Sequence, residues 1–202
     1  AREVYFSLIT EFDEYLGQIL DVLDETGLSE NTVVFYFSDH GEMAGEHGLW
    51  GKCTLLDSSI RVPLIVRVPA RAAETLGATA EPGKVVTTPV SLVDLYPTFL
   101  DVAGTRLPEP LYLHGNSLLP LLTGQEEDFD GGRVFCEFEG EGWNHPRACL
   151  IDWPWKYVYN HTADERLYNL ADDPHELADL ATDPNCGDTR DRLRSALLAD
   201  WD

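Results

Sequence analysis

Residues 32–38 read TVVFYFS, and no other stretch limits the possible folds as strongly. β-Branched and aromatic residues favour an extended chain. Successive strand side chains point to opposite faces, and here both faces are apolar, so both must be covered. This is the pattern of a buried strand in a parallel sheet. Before it, Val4, Leu8, Phe12, Tyr15, Leu16, Ile19, Leu20 and Leu23 recur at three- and four-residue spacing. They predict an amphipathic helix over 4–26, stopped by Gly27.

The alternation continues. VPLIVRV (62–68) predicts a second strand with Pro63 near its start. SLVDLYPTFLDVAG (91–104) predicts a helix with Ser91 as N-cap, Asp94 closing an approximate capping box, Pro97 bending the early turns and Gly104 as the stop. A loop-rich stretch over 104–132 carries an acidic run at 126–130 and marks a boundary. Beyond it, RVFCEFE (133–139), RACLID (147–152) and WKYVYN (155–160) predict short strands, with Trp153-Pro154 as a hairpin turn. RLYNL (166–170) fits a fourth strand or a turn. A helix over 188–201 is expected, capped by Asp188 and buried through Leu193, Ala196 and Leu197. The expected architecture is α/β over residues 1–125, then a small α+β subdomain over 126–202 with antiparallel strands and a terminal helix.

A hydrophobic fraction of 44% is enough for a real core. The net charge of -22 repels nucleic acid and anionic membrane surfaces, so neither is expected as a partner. An acid-rich, Lys-poor surface suits high salt, where screening removes self-repulsion. Cys53, Cys136, Cys149 and Cys186 form no CxxC pair and are read as free, mostly buried thiols. No apolar run approaches the ~20 residues of a membrane span. No signal peptide is visible, and the cytoplasm is favoured over other compartments.

The candidate chemistry follows the first strand, in SDHGEMAGEHGLWGKC (38–53). Ligands in open α/β sheets gather beyond the carboxyl ends of strands. Asp39 and His40 stand at that point, and a carboxylate beside an imidazole suits a divalent cation. Taken alone, the pair reads more simply as a turn-capping Asp and a partly buried His. The chain has only three lysines, Lys52, Lys84 and Lys156, and one of them closes this same loop.

The wider pattern resembles the sulfatase family of the alkaline-phosphatase-like superfamily. In that family a strand ends in Asp-His-Gly or Asp-Asn-Gly, and a glycine-rich loop leads to a Lys. The spacing from His40 to Lys52 is similar to that of iduronate-type sulfatases, choline sulfatases and phosphonate monoester hydrolases. ITEFDEYLGQILDVLDETGLSENTVVFYFSDHG, SSIRVPLIVRVPA, TTPVSLVDLYPTFLDVAG, GNSLLPLLTG and RLYNLADDPHELADLATDP resemble further family segments, in the family's order and over nearly the whole chain. The resemblance implies a partial alkaline-phosphatase-like sandwich ahead of the C-terminal subdomain. It implies Asp39 and His40 as ligands of a divalent metal, with calcium favoured and manganese or magnesium as alternatives. It implies Lys52 as the group that binds a sulfate or phosphate oxygen of a small-molecule ester. The same loop serves phosphonate and phosphate diester hydrolases, and a non-catalytic module could retain the fold.

Secondary candidates are weaker. His47 either contacts substrate or holds the loop by hydrogen bonds, the second being the simpler reading. Glu42 and Glu46 read as solvated or loop-bracing groups, and Trp50 as packing. Trp143, Asn144 and His145 are candidates to line a pocket, although a surface loop is simpler. His114 and His161 lack neighbours that suggest chemistry. Trp153, Trp155, Tyr157 and Tyr159 read as core and hairpin packing.

The family's nucleophile is a Cys or Ser in a Cys/Ser-x-Pro/Ala-x-Arg motif, converted to formylglycine. None of the four cysteines lies in such a motif. The chain therefore resembles the C-terminal portion of a sulfatase, with formylglycine and the remaining metal ligands expected upstream. The missing N-terminal part is an expected partner, and self-association is expected without it.

Overall fold

A computed structural model describes residues 1–77, 82–106, 112–140, 143–161 and 164–201. α1 (Arg2–Glu25) forms where the three- and four-residue spacing places it. It ends in paired C-terminal hydrogen bonds, Leu28 N–H to Leu23 O at 2.9 Å and Gly27 N–H to Asp24 O at 3.1 Å. Gly27 takes the left-handed φ of +71° that this ending requires.

β1 (Val34–Phe37) and β2 (Leu64–Arg67) pair antiparallel, with Val34 opposite Arg67 and Phe37 opposite Leu64. The parallel arrangement expected for β1 is not seen among the described residues. Parallel neighbours need a crossover that returns to the starting end. Here the link holds only a loop with a 3₁₀ turn at Glu46–Gly48 and the four-residue α2 (Asp57–Ile60), and the chain doubles back. The apolar character of both faces has a clear cause nonetheless. Phe35 meets Phe99 of α4 (Leu95–Val102) edge-on at 4.9 Å. Its neighbour Tyr36 meets Phe12 of α1 at 6.1 Å. A helix therefore lies on each side of the strand.

The α4 side holds a core of Leu95, Leu118 and Leu121, with Phe35, Leu64 and Phe129 against it; Leu121 lies in α5 (Leu119–Thr123). The short α3 (Ala70–Thr75) follows β2 and buries Ala72 and Ala73. The Ser91–Asp94 capping box is present, but it opens a 3₁₀ turn that leads into α4. Asp94 also accepts a hydrogen bond from Asn116 N–H at 2.8 Å, so the cap pins a second segment. Pro97 does not interrupt α4, because in a first turn its missing N–H has no partner to lose.

The second sheet is fully antiparallel, in the order β3 (Arg133–Gly140), β4 (Trp143–Asp152), β5 (Trp155–Asn160), β6 (Arg166–Asn169). One face carries Ala148, Leu150, Tyr157 and Leu167, covered by Leu193 and Leu197 of α6 (Gly187–Asp200). Asp188 is not the N-cap of α6; it lies inside the first turn. The capping carboxylate belongs to Asp183, which accepts from Asn185 N–H at 2.8 Å and starts a 3₁₀ turn continuous with the helix. Trp153 is exposed at the β4–β5 turn rather than packed, while Tyr157 is buried. None of the four cysteines is in a disulfide, and only Cys149 is buried, the others being partly buried.

The opposite face carries Cys149, Val158, Tyr168 and Leu170, and it is covered by Leu55 and Ile60 from the segment that includes α2. Lys156, on β5, points to this face and is 0% exposed. Its Nζ lies 2.8 Å from Asp57 Oδ1 and 2.7 Å from Glu176 Oε1. The Glu176 contact is one of charge, since Oε1 lacks hydrogen-bond geometry. Glu176 Oε2 accepts from Asp57 N–H at 2.6 Å and closes the ring of contacts.

Burial alone would lower the pKa of Lys156. The surrounding Cys149, Asp57 and Glu176 outweigh it and hold the ammonium above the ordinary lysine value. The Cys149 thiol is itself pushed well up, by its hydrogen bond to Cys136 and by burial, so near pH 7 the two carboxylates carry the balance. Replacing Lys156 by Met leaves the buried Glu176 and the partly buried Asp57 without a cation. We expect the variant to lose roughly 3–5 kcal/mol in urea unfolding. The difference should be full at neutral pH and shrink as the pH rises through the raised folded pKa. A loss under about 1 kcal/mol, the size of a surface pair, would contradict the reading.

Candidate functional site

The chain leaves β1 at Phe37 and places Asp39 and His40 directly beyond it. Gly41 then passes so close to α2 that a Cβ there would sit 2.2 Å from Ser58 O. Its N–H donates to Ser59 O at 2.7 Å. Only glycine permits this approach, and it ties the Asp-His pair to the segment that Lys156 holds.

His40 Nδ1 lies 2.8 Å from the Gly41 carbonyl. A carbonyl only accepts, so Nδ1 carries a proton, and whenever the ring is neutral Nε2 is left to present a lone pair. That lone pair lies 3.5 Å from Asp39 Oδ2. Desolvation pushes the Asp39 carboxyl up. Hydrogen bonds from its own N–H and the His40 N–H, the adjacent imidazole and the Ser38 hydroxyl outweigh that push and hold it below the ordinary value of 3.8. With the ring neutral, the carboxylate and Nε2 stand side by side as two acceptors, a donor pair that suits a divalent cation. Among the described residues no group of three or more His, Cys, Asp or Glu side chains forms a metal site. The pair fits part of a coordination shell, and the other ligands must come from outside it.

The loop beyond the pair is rigidly folded. Met43 is buried as its anchor, and its N–H bonds the Gly51 carbonyl at 2.8 Å. Glu42 Oε1 accepts from Ala44 N–H at 3.0 Å and from Gly51 N–H at 2.6 Å. These bonds draw the two ends of the loop together, so Lys52 follows directly on the residue bonded to Glu42. Lys52 is exposed and makes no hydrogen bond or ion pair among the described residues. Ala44, His47 and Cys53 adopt left-handed φ of +47°, +50° and +73°, a cluster of backbone strain of the kind held at functional loops.

The remaining candidates divide. His47 Nε2 lies 3.0 Å from the His175 carbonyl, one residue from Glu176, and so joins the loop to the Asp173–Glu176 turn. Glu46 pairs with Arg2 at 2.7 Å, and Arg2 also donates to the Ala44 carbonyl. Trp50 is 54% exposed rather than packed. The side chains of Trp143 and Asn144 lie outside the described residues. His145 and His161 are neighbours, with ring centroids 6.2 Å apart, and His114 meets Tyr112 edge-on. These are ring contacts and bring no reactive group to His114 or His161 among the described residues. The sequence reading missed Lys156 and Glu176. The available signal was a Lys at an alternating position in an otherwise apolar strand of a Lys-poor chain.

Comparison with known proteins gives the family. The Sulfatase family profile matches residues 1–105. The chain is 36% identical to a choline-sulfatase of Rhizobium meliloti over 185 residues, 91% of this chain and 34% of that protein. It is 35% identical to arylsulfatase K of Xenopus laevis over 190 residues, 89% of this chain and 33% of that protein. The fold matches a phosphonate monoester hydrolase of Agrobacterium radiobacter with a TM-score of 0.85 at 31% identity, over 98% of this chain and 40% of that one. The chain thus spans about a third of the length of the curated relatives it matches.

The loop geometry gives a direct test. Glu42→Ala removes two hydrogen bonds to a charged acceptor, each contributing roughly 1.5–3 kcal/mol. Amide exchange at Ala44 and Gly51 should quicken by about ten-fold or more, while α6 amides stay unchanged. Unaltered exchange at both positions would show that Glu42 does not hold the loop.

Proposed function

Because the chain belongs to the sulfatase family, we propose that it is the C-terminal part of a metal-dependent hydrolase of sulfuric esters. The observation that carries this reading is the convergence of Asp39 Oδ2 and His40 Nε2, 3.5 Å apart at the end of β1. In the intact enzyme Asp39 and His40 hold a divalent cation, calcium by family likeness, which supplies positive charge against the reacting ester. Hydrogen bonding to Gly41 keeps the His40 proton on Nδ1 and leaves Nε2 free to bind. Lys52, an ammonium with no protein partner among the described residues, binds an oxygen of the group being transferred. A fixed positive charge there stabilises the negative charge that grows on the oxygens in the transition state.

The nucleophile, a formylglycine in this family, belongs to the part of the enzyme that precedes these residues. The exposed apolar surface supports that division. None of the 24 residues of α1 is buried, and Ile65 of β2 is 62% exposed. An apolar groove lined by Ile65, Val66, Val85, Val86 and Leu122 runs beside the same strand. Such surface calls for the N-terminal part of the same enzyme, or for self-association in its absence.

A second reading, hydrolysis of phosphonate or phosphate esters, is favoured by the likeness to a phosphonate monoester hydrolase. Initial rates on 4-nitrophenyl sulfate and on a 4-nitrophenyl phosphonate ester separate the two. Asp39→Asn, His40→Ala and Lys52→Ala should each lower kcat/KM of the intact enzyme by about 10²–10³-fold with the fold retained. The chain alone should show no turnover. Robust metal-dependent hydrolysis by these residues alone would overturn the division of the site. Full activity of all three variants would favour a non-catalytic module.

A further inference from the structure

We propose that Cys136 and Cys149 are an oxidative modification site, a dithiol that a peroxide converts into an intramolecular disulfide. The two residues stand directly opposite each other in the β3–β4 register. Their side chains share the sheet face turned away from α6 and pack in one cluster. Directly opposed Cβ atoms in an antiparallel pair lie roughly 4.5–5.5 Å apart, and a disulfide needs roughly 3.5–4.5 Å. Closure therefore asks for a shift of about 1 Å and no change of register. Neither of the other cysteines is paired in a strand register: Cys53 lies in the loop and Cys186 at the start of α6.

The two thiols are unequal, and the inequality sets their roles. Cys149 is fully buried, whereas Cys136 is partly accessible. The hydrogen bond from Cys149 lowers the Cys136 pKa; burial opposes it, and nearby Lys156 adds to the lowering. The same hydrogen bond, with burial, raises Cys149. Cys136 is thus the attacking thiol and Cys149 the resolving one.

In the first step the Cys136 thiolate attacks one oxygen of the peroxide. An S–O bond forms, the O–O bond breaks, and the departing hydroxide takes up the proton that the thiol released on ionising, becoming water. In the second step the Cys149 sulfur attacks the Cys136 sulfenic sulfur. The S–S bond forms, the S–O bond breaks, and the leaving hydroxide takes the Cys149 proton as a second water. The two thiols are oxidised by two electrons and hydrogen peroxide is reduced to two waters. The pair shares its packing cluster with Leu55, three residues beyond Lys52, so the disulfide would lie under the candidate loop.

The protein carrying this chain, purified reduced, is treated with hydrogen peroxide, then denatured, alkylated and digested with trypsin. Cleavage after Arg147 separates the two cysteines. The expected product is peptide 134–147 joined to peptide 148–156, lighter by two hydrogens than the separate thiol peptides. Dithiothreitol should return both to alkylatable thiols. In Cys136→Ala, Cys149 should stay reduced under the same treatment. The proposal is overturned if Cys136 runs on to sulfinic acid while Cys149 remains alkylatable. It is equally overturned if both stay thiols, or if either joins Cys53 or Cys186 instead.

Discussion

The fold depends on a single buried ammonium. Lys156 sits at 0% exposure between Asp57 and Glu176, which belong to segments far apart in the chain. A lysine so placed is tolerated only with its charge compensated, so the three groups fix one another. Asp57 opens α2, and the residues around it, Leu55 and Ile60, close the second sheet's open face. Ser59 of α2 accepts from Gly41, next to the Asp-His pair. His47 reaches the carbonyl adjacent to Glu176. The loop at the end of β1 is thus tied to this clamp by backbone and side-chain hydrogen bonds.

Above the clamp, local backbone rules set the geometry. The close pass at Gly41 and the left-handed residues that follow fold the loop back, and Glu42 ties its ends. The Asp39 carboxyl is held below its ordinary value and His40 Nδ1 faces the Gly41 carbonyl, which leaves Oδ2 and Nε2 side by side, and Lys52, without a partner among the described residues, follows in the loop. If the site acts as proposed, such pre-organisation would leave little to move when charge develops on a bound tetrahedral anion.

Much of this was legible in the residues. The period of α1, the Ser91–Asp94 box and the alternation in β3, β4 and β5 are local signals, and these elements formed close to where they were expected, except that β4 starts at Trp143, so that 143–146 are strand and not the loop expected there. The DHG loop was legible through its motif. What failed depended on long-range partners. The direction of β2 against β1 is set by the path between them, not by side-chain alternation. Asp188 and Asp183 are equally good caps on paper, and the 3₁₀ turn decides between them. Lys156 looked like a strand residue because its partners lie at positions 57 and 176. The exposure of Trp50 and Trp153 likewise depends on what reaches them.

The central claim is that Asp39 and His40 share one cation. The most direct measurement is an anomalous-scattering map from crystals of the intact enzyme soaked with manganese. The account predicts one peak within coordination distance of both Asp39 Oδ2 and His40 Nε2, abolished in His40→Ala. A manganese peak elsewhere in the active site, with both side chains well ordered and unliganded, would contradict it.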